Sequence, residues 1–211
     1  MRYGLITVAA LAAAVPALAA ASPLSSAINT VGVYGEGVGV TNGNSTGGIG
    51  VHLSGLNRWD FFTLLDYNYA FDNVLANTDG HYQSVDAKIG KAFSIGPSIL
   101  IGPYVGYQYA NFYAKVPGFS ASYDNNAVGG GLFGALAAAP DLVFTGNVGY
   151  LGGVGASGPL STSDVVEVRT QADYRIMGPW YAFAGLSYNH YTVNSGYDLL
   201  RGYAGLSYTF D

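Results

Sequence analysis

Val165-Val166-Glu167-Val168-Arg169-Thr170-Gln171-Ala172-Asp173-Tyr174-Arg175-Ile176 is the stretch from which this chain is best read. Every second residue from Val166 is apolar or small: Val168, Thr170, Ala172, Tyr174, Ile176. The intervening residues are Glu167, Arg169, Gln171, Asp173 and Arg175. Successive strand side chains point to opposite faces, so the segment is a strand with one apolar and one charged face. Such alternation serves a soluble sheet as well as a lipid-facing one. The surrounding chain has to decide between them.

Working outward, about nine further segments alternate in the same way, and no helical period follows residue 25. The strands are expected over 28–40, 47–56, 61–72, 81–95, 99–112, from about 122, from 142, then 165–176, 180–191 and 199–210. The breaks alternate between short ones (57–60, 95–98, 138–141, 177–179) and longer polar ones (41–46, 73–80, 113–121, 155–163, 192–198). Short turns on one side and longer loops on the other, joining segments long enough to cross a bilayer at a tilt, predict an all-β, up-and-down antiparallel transmembrane barrel. The count is about ten strands with both ends on the short-turn side, or about eight if the glycine-rich first hairpin lies outside the wall.

The N-terminus supports export. Arg2 precedes an apolar run from Gly4 to Val15, and Pro16-Ala17-Leu18-Ala19 offers a helix breaker and a small-x-small site. This predicts a signal peptide over 1–19 and a mature barrel domain over 20–211. Of the 211 residues 10% are charged, against about a quarter in soluble domains, while Gly occurs 31 and Tyr 18 times. The absence of cysteine excludes disulfides, thiolate metal sites and a lipoprotein anchor. A net charge of -5 argues against nucleic acid as a partner.

With the short turns assigned to the periplasm, outward aromatics sort into two belts. Phe61, Phe93, Phe144, Tyr174, Trp180, Tyr208 and Phe210 fall near the short turns. Tyr67, Tyr69, Phe71, Tyr107, Tyr109, Tyr150 and Tyr188 fall near the long loops. Two aromatic girdles around an aliphatic band are what a lipid interface selects.

On these features the chain resembles the small Gram-negative outer-membrane barrels, the OmpA-type and opacity-protein-like group. The last strand, Tyr203 to Phe210, looks like the C-terminal signal read by the barrel assembly machinery, with Gly205, Tyr208 and Phe210 carrying it. Asp211 follows the aromatic residue that usually ends such a signal. The resemblance implies residence in the cell outer membrane, with lipid and the assembly machinery as partners. The architecture it names is shared by porins, adhesins and enzymes.

The polar faces place Glu36, Asp66, Asp86, Lys88, Glu167, Arg169, Asp173, Arg175 and Arg201 in the lumen. Charges of both signs inside a narrow wall must pair or be hydrated. They predict a salt-bridged filling, or alternatively a selectivity path. His52 and Ser54 share a strand face, a pair that resembles the His-x-Ser of outer-membrane lipid A deacylases, but no carboxylate can be assigned to orient the His. The Asp72–Asp79 loop has turn-forming chemistry, and the scattered His offer no metal spacing. The expected function is that of a monomeric, non-catalytic barrel with a structural or surface-interaction role, without cofactor or metal. A narrow ion or solute channel and a lipid A-modifying enzyme are the alternatives.

Overall fold

The computed structural model describes residues 23–41, 43–72, 79–158, 161–192 and 196–210. The expected signal peptide, the 73–78 part of the second loop and Asp211 lie outside the described residues. A short helix α1 (Pro23–Ile28) leads into β1 (Thr30–Val40), β2 (Ser45–Leu56), β3 (Phe61–Ala70), β4 (Asp79–Lys91), β5 (Phe93–Ser94), β6 (Ile99–Val116), β7 (Phe119–Ala139), β8 (Leu142–Ser157), β9 (Val165–Met177), β10 (Trp180–Tyr191) and β11 (Tyr197–Thr209). Each strand pairs antiparallel with its chain neighbour, except that β4 and β5 both pair with β6, and β1 closes the ring on β11 from Thr30↔Thr209 to Val40↔Leu199. The two-residue β5 continues β4 past Ala92, so the wall has ten staves. The glycine-rich first hairpin belongs to it. Closure leaves no strand edge inside the wall, the condition for crossing lipid with strands.

The wall is apolar outside and polar inside. Val33, Val105, Leu132, Leu186 and Leu206 are each at least half exposed, whereas Asp66, Asp173, Glu167, Lys88 and Arg201 are buried. An apolar coat around the whole circumference far exceeds the few hundred Å² that a soluble monomer exposes. The girdle residues all point outward, and at the short-turn end Trp180 meets Tyr208 edge-on with ring centroids 5.3 Å apart.

Two sequence expectations are corrected. The break over 113–121 is not a long loop. β6 and β7 pair up to Val116↔Phe119 and form a hairpin that outruns its neighbours. Pro117-Gly118 makes a two-residue turn with Gly118 at φ 82; Pro pre-sets the first corner and Gly supplies the positive φ. The second correction is α1, where no helix was expected past residue 25. Six residues are too few to show a period, and Pro suits a first helical turn. What holds α1 is tertiary: Ser54 Oγ donates to Ile28 O at 2.5 Å, Thr209 Oγ1 to Ser26 O at 2.6 Å, and Leu56 N to Asn29 Oδ1 at 2.6 Å.

Candidate functional site

The lumen is layered along its axis. At the short-turn end Leu24, Ala27 and Ile28 of α1 sit among Leu56, Leu100, Val143 and Tyr181, beside Phe62 and Phe133, whose rings lie 4.6 Å apart. At the long-loop end Val38, Leu151, Val165 and Leu199 surround the rings of Tyr82, Phe112, Tyr123 and Tyr191. Tyr191 stacks on Tyr197 at 4.8 Å, and Tyr82 lies 4.8 Å from Phe112. Apolar side chains thus fill both mouths. A charged layer lies between them.

Two clusters make up that layer. Asp66, near the middle of β3, takes Arg169 at 3.0 Å and Arg201 at 3.3 Å, and accepts the Tyr34 hydroxyl at 2.8 Å. Arg201 also lies 3.7 Å from Glu36, whose other oxygen accepts from Asn68 Nδ2 at 2.8 Å. Across the lumen Lys88 pairs with Asp86 and, at 3.1 Å, with Glu167, which also accepts from the Tyr104 hydroxyl. Arg169 donates to the Tyr203 hydroxyl at 2.8 Å. Asp173 has the Gln171 amide at 2.9 Å, with no cation within ion-pair distance among the described residues. Buried charges held this way carry desolvation costs that only multiple partners offset.

The tyrosines reach across because glycines make room. A Cβ on Gly50 would lie 2.1 Å from the Tyr34 ring, and one on Gly185 2.4 Å from that of Tyr203. Sequence reading missed Tyr34, Tyr104 and Tyr203 as network members. Their signal was available as large polar rings on the strand face that otherwise carries glycine and charge. Arg175, grouped with the lumen charges from the sequence, stands apart from them. Two residues further along β9 than Asp173, it reaches the mouth, donates to the Tyr181 hydroxyl at 2.7 and 2.9 Å, and lies 3.9 Å from Asp141.

Empty space is scarce. A cavity of about 40 Å³ lies between α1 and the charges, lined by His52, Ser54, Gln171 and Asp173 among others, and a second holds about 10 Å³. A water needs roughly 10–15 Å³ on this measure, so the interior has room for a few. His52 Nε2 is 3.4 Å from Ser54 Oγ and 3.2 Å from Thr30 Oγ1. The Ser54 hydroxyl is engaged by the backbone of α1, and both His52 and Ser54 are buried.

At the long-loop rim, outward tyrosines pair with carboxylates on the next stave. Tyr109 donates to Asp124 at 3.1 Å, Tyr150 to Asp164 at 2.5 Å, and Tyr188 to Asp198 at 2.6 Å. The Tyr150 hydroxyl and the Gly153 N–H hold the Asp164 carboxyl below its ordinary range. His190 Nδ1 lies 2.7 Å from Asp198, a pair the sequence reading did not find. The Tyr188 and Thr41 hydroxyls both donate to Asp198, the carboxylate that His190 faces. Among the described residues no cluster of three or more His, Asp or Glu could hold a metal ion.

The inside-out polarity and the ring closure decide the class. The fold is that of the small Gram-negative outer-membrane β-barrels. The chain is similar to the outer membrane protease OmpT from Escherichia coli, at 12% identity over 86% of this chain and 94% of that one, with a TM-score of 0.57. Neisserial surface protein A aligns at 18% identity over 86% and 96%, TM-score 0.41, and the KdgM porin at 12% over 86% and 99%, TM-score 0.40. No protein-family profile and no curated protein matches the sequence. At 12% identity the likeness to OmpT fixes architecture and leaves activity to the site itself.

Proposed function

We propose that this protein is a non-catalytic barrel of the outer membrane, exported with a signal peptide over 1–19, whose lumen is a structural filling and whose long-loop rim is its contact surface. One observation carries the reading: the charged layer is capped by α1 and apolar side chains at one mouth and by an aromatic cluster at the other. A selectivity filter needs a continuous wet path, and the two lumen cavities are small, about 40 and 10 Å³. Against catalysis, the Ser54 hydroxyl beside His52 is committed to the Ile28 carbonyl, and among the described residues the hydroxyls at Asp198 bond that carboxylate rather than His190. The rim offers Asp124, Asp164 and Asp198 and the protruding β6–β7 hairpin, polar features of the kind that surface recognition uses. The final strand is the element the assembly machinery would engage, and a monomer is the working unit.

The test is single-channel recording on purified, refolded protein in planar bilayers. The expected result is no steady conductance. Long-lived open steps, with passage of small solutes into vesicles, would replace this reading with the channel. Incubation with lipid A and with unstructured peptides should leave both intact; hydrolysis of either would make the protein an enzyme.

A further inference from the structure

The short-turn rim between β2 and β6 carries two cations, Arg58 and Lys91, with no carboxylate partner among the described residues. The turn at 57–60 is rigid: Asn57 Oδ1 accepts from Trp59 N at 2.9 Å and Phe61 N at 3.1 Å, and Asp60 holds φ 64. The Asp60 carbonyl accepts from Ala92 N at 2.7 Å, which clamps the turn to the end of β4. Arg58 lies over the Trp59 ring at 4.3 Å, and Lys91 Nζ over the Phe61 ring at 5.3 Å. Phe61 and Lys91 face each other across β3 and β4. Neither cation forms an ion pair among the described residues, whereas Lys88, Arg169, Arg175 and Arg201 all do. A cation over an aromatic face at a membrane interface has one side satisfied and the other open to an anion from outside.

Directly above, the wall is hollow. Leu65, Ala87 and Tyr107 form one cross-strand row, and Thr63, Ile89 and Val105 the next, which adjoins Phe61 and Lys91. Ala87, small between two large neighbours, lies in the floor of an outward hollow of about 320 Å³. An apolar furrow that ends at two unpaired cations within an aromatic girdle has the polarity of a lipid: a chain above, an anionic group below.

We propose that this rim binds the phosphate-bearing headgroup of an anionic phospholipid of the inner leaflet, with one of its acyl chains lying in the hollow over Ala87. The site rests on the membrane placement argued above and adds a lipid class and a position. Trp59 and Trp180 are the two tryptophans of the chain, so Trp180→Phe leaves Trp59 as a local reporter. This variant is refolded in phosphatidylcholine vesicles containing a minor fraction of brominated phosphatidylglycerol, or the same fraction of brominated phosphatidylcholine. Quenching of Trp59 should favour phosphatidylglycerol by on the order of tenfold in apparent affinity. Arg58→Gln with Lys91→Gln should bring the two lipids to parity while the inserted fraction is unchanged. Parity in the parent, the result a second copy seated on this face would give, overturns the site, as does a preference that survives the double substitution. If neither brominated lipid quenches at all, the membrane placement itself fails.

Discussion

At the scale of single residues, Asp66 is where the lumen is most exposed to damage. It faces Arg169 and Arg201 and takes the Tyr34 hydroxyl, all inside the wall. Removing one partner from a buried ion cluster leaves uncompensated charge, at a cost of about 3–5 kcal/mol. Asp66→Ala should therefore lower stability by that order, measured as urea-induced unfolding in lipid vesicles. Asp66→Asn keeps an acceptor and should lose less. Equal stability of Asp66→Ala and the parent would mean that the cluster is hydrated and interchangeable. Glycine matters here in a specific way. Gly50→Ala would drive a methyl into the Tyr34 ring, so Tyr34→Ala should partly rescue it in a double-mutant cycle.

Among elements, α1 is held in place by burial. Ile28 is 2% exposed and Leu24 3%, both against the apolar layer at the short-turn mouth. Ile28→Ala should cost about 2–5 kcal/mol, the range for a buried aliphatic truncated to alanine, with the barrel otherwise intact by circular dichroism. No loss would show that the helix does not occupy the mouth in solution. The strands make a complementary case. Leu132 lies between the level of Leu136↔Phe144 and that of Val128↔Tyr107, close to the middle of the apolar band, and is half exposed. Leu132→Arg should cost about 2–4 kcal/mol. Val168, which the sequence also places on the lipid face, is paired with Tyr188 of the outer girdle, so Val168→Arg should be milder. Gln171 is not a tolerant lumen position: it bonds Asp173 and is packed beside Arg169 and Tyr203, so Gln171→Arg should destabilise by overpacking.

For the whole molecule, the controlling fact is that the apolar surface lies outside and the charge inside. Refolding from urea should require detergent or lipid, with aggregation rather than a soluble monomer in plain buffer. A folded monomer in buffer, judged by light scattering and near-ultraviolet circular dichroism, would contradict the lipid-facing assignment. The β6–β7 hairpin, β8–β9 loop and β10–β11 loop all lie at the rim opposite α1.

The sequence by itself determined an up-and-down meander of about ten strands and which face of each strand is apolar. Those follow from a period of two and from turn chemistry, which are local and survive in a linear string. It misjudged the break over 113–121 because Ala114 before Pro117-Gly118, and Ser120 and Ala121 after it, blur the alternation. Only the tertiary structure decided which lumen charges meet. Asp66 and Arg201 are separated by most of the chain and become neighbours only when β1 closes on β11 and the staves around the seam curve into a ring. The same closure made a stopper of six residues that have no period of their own. A helix that short is held by the mouth it fills, and the mouth exists only once the barrel has shut.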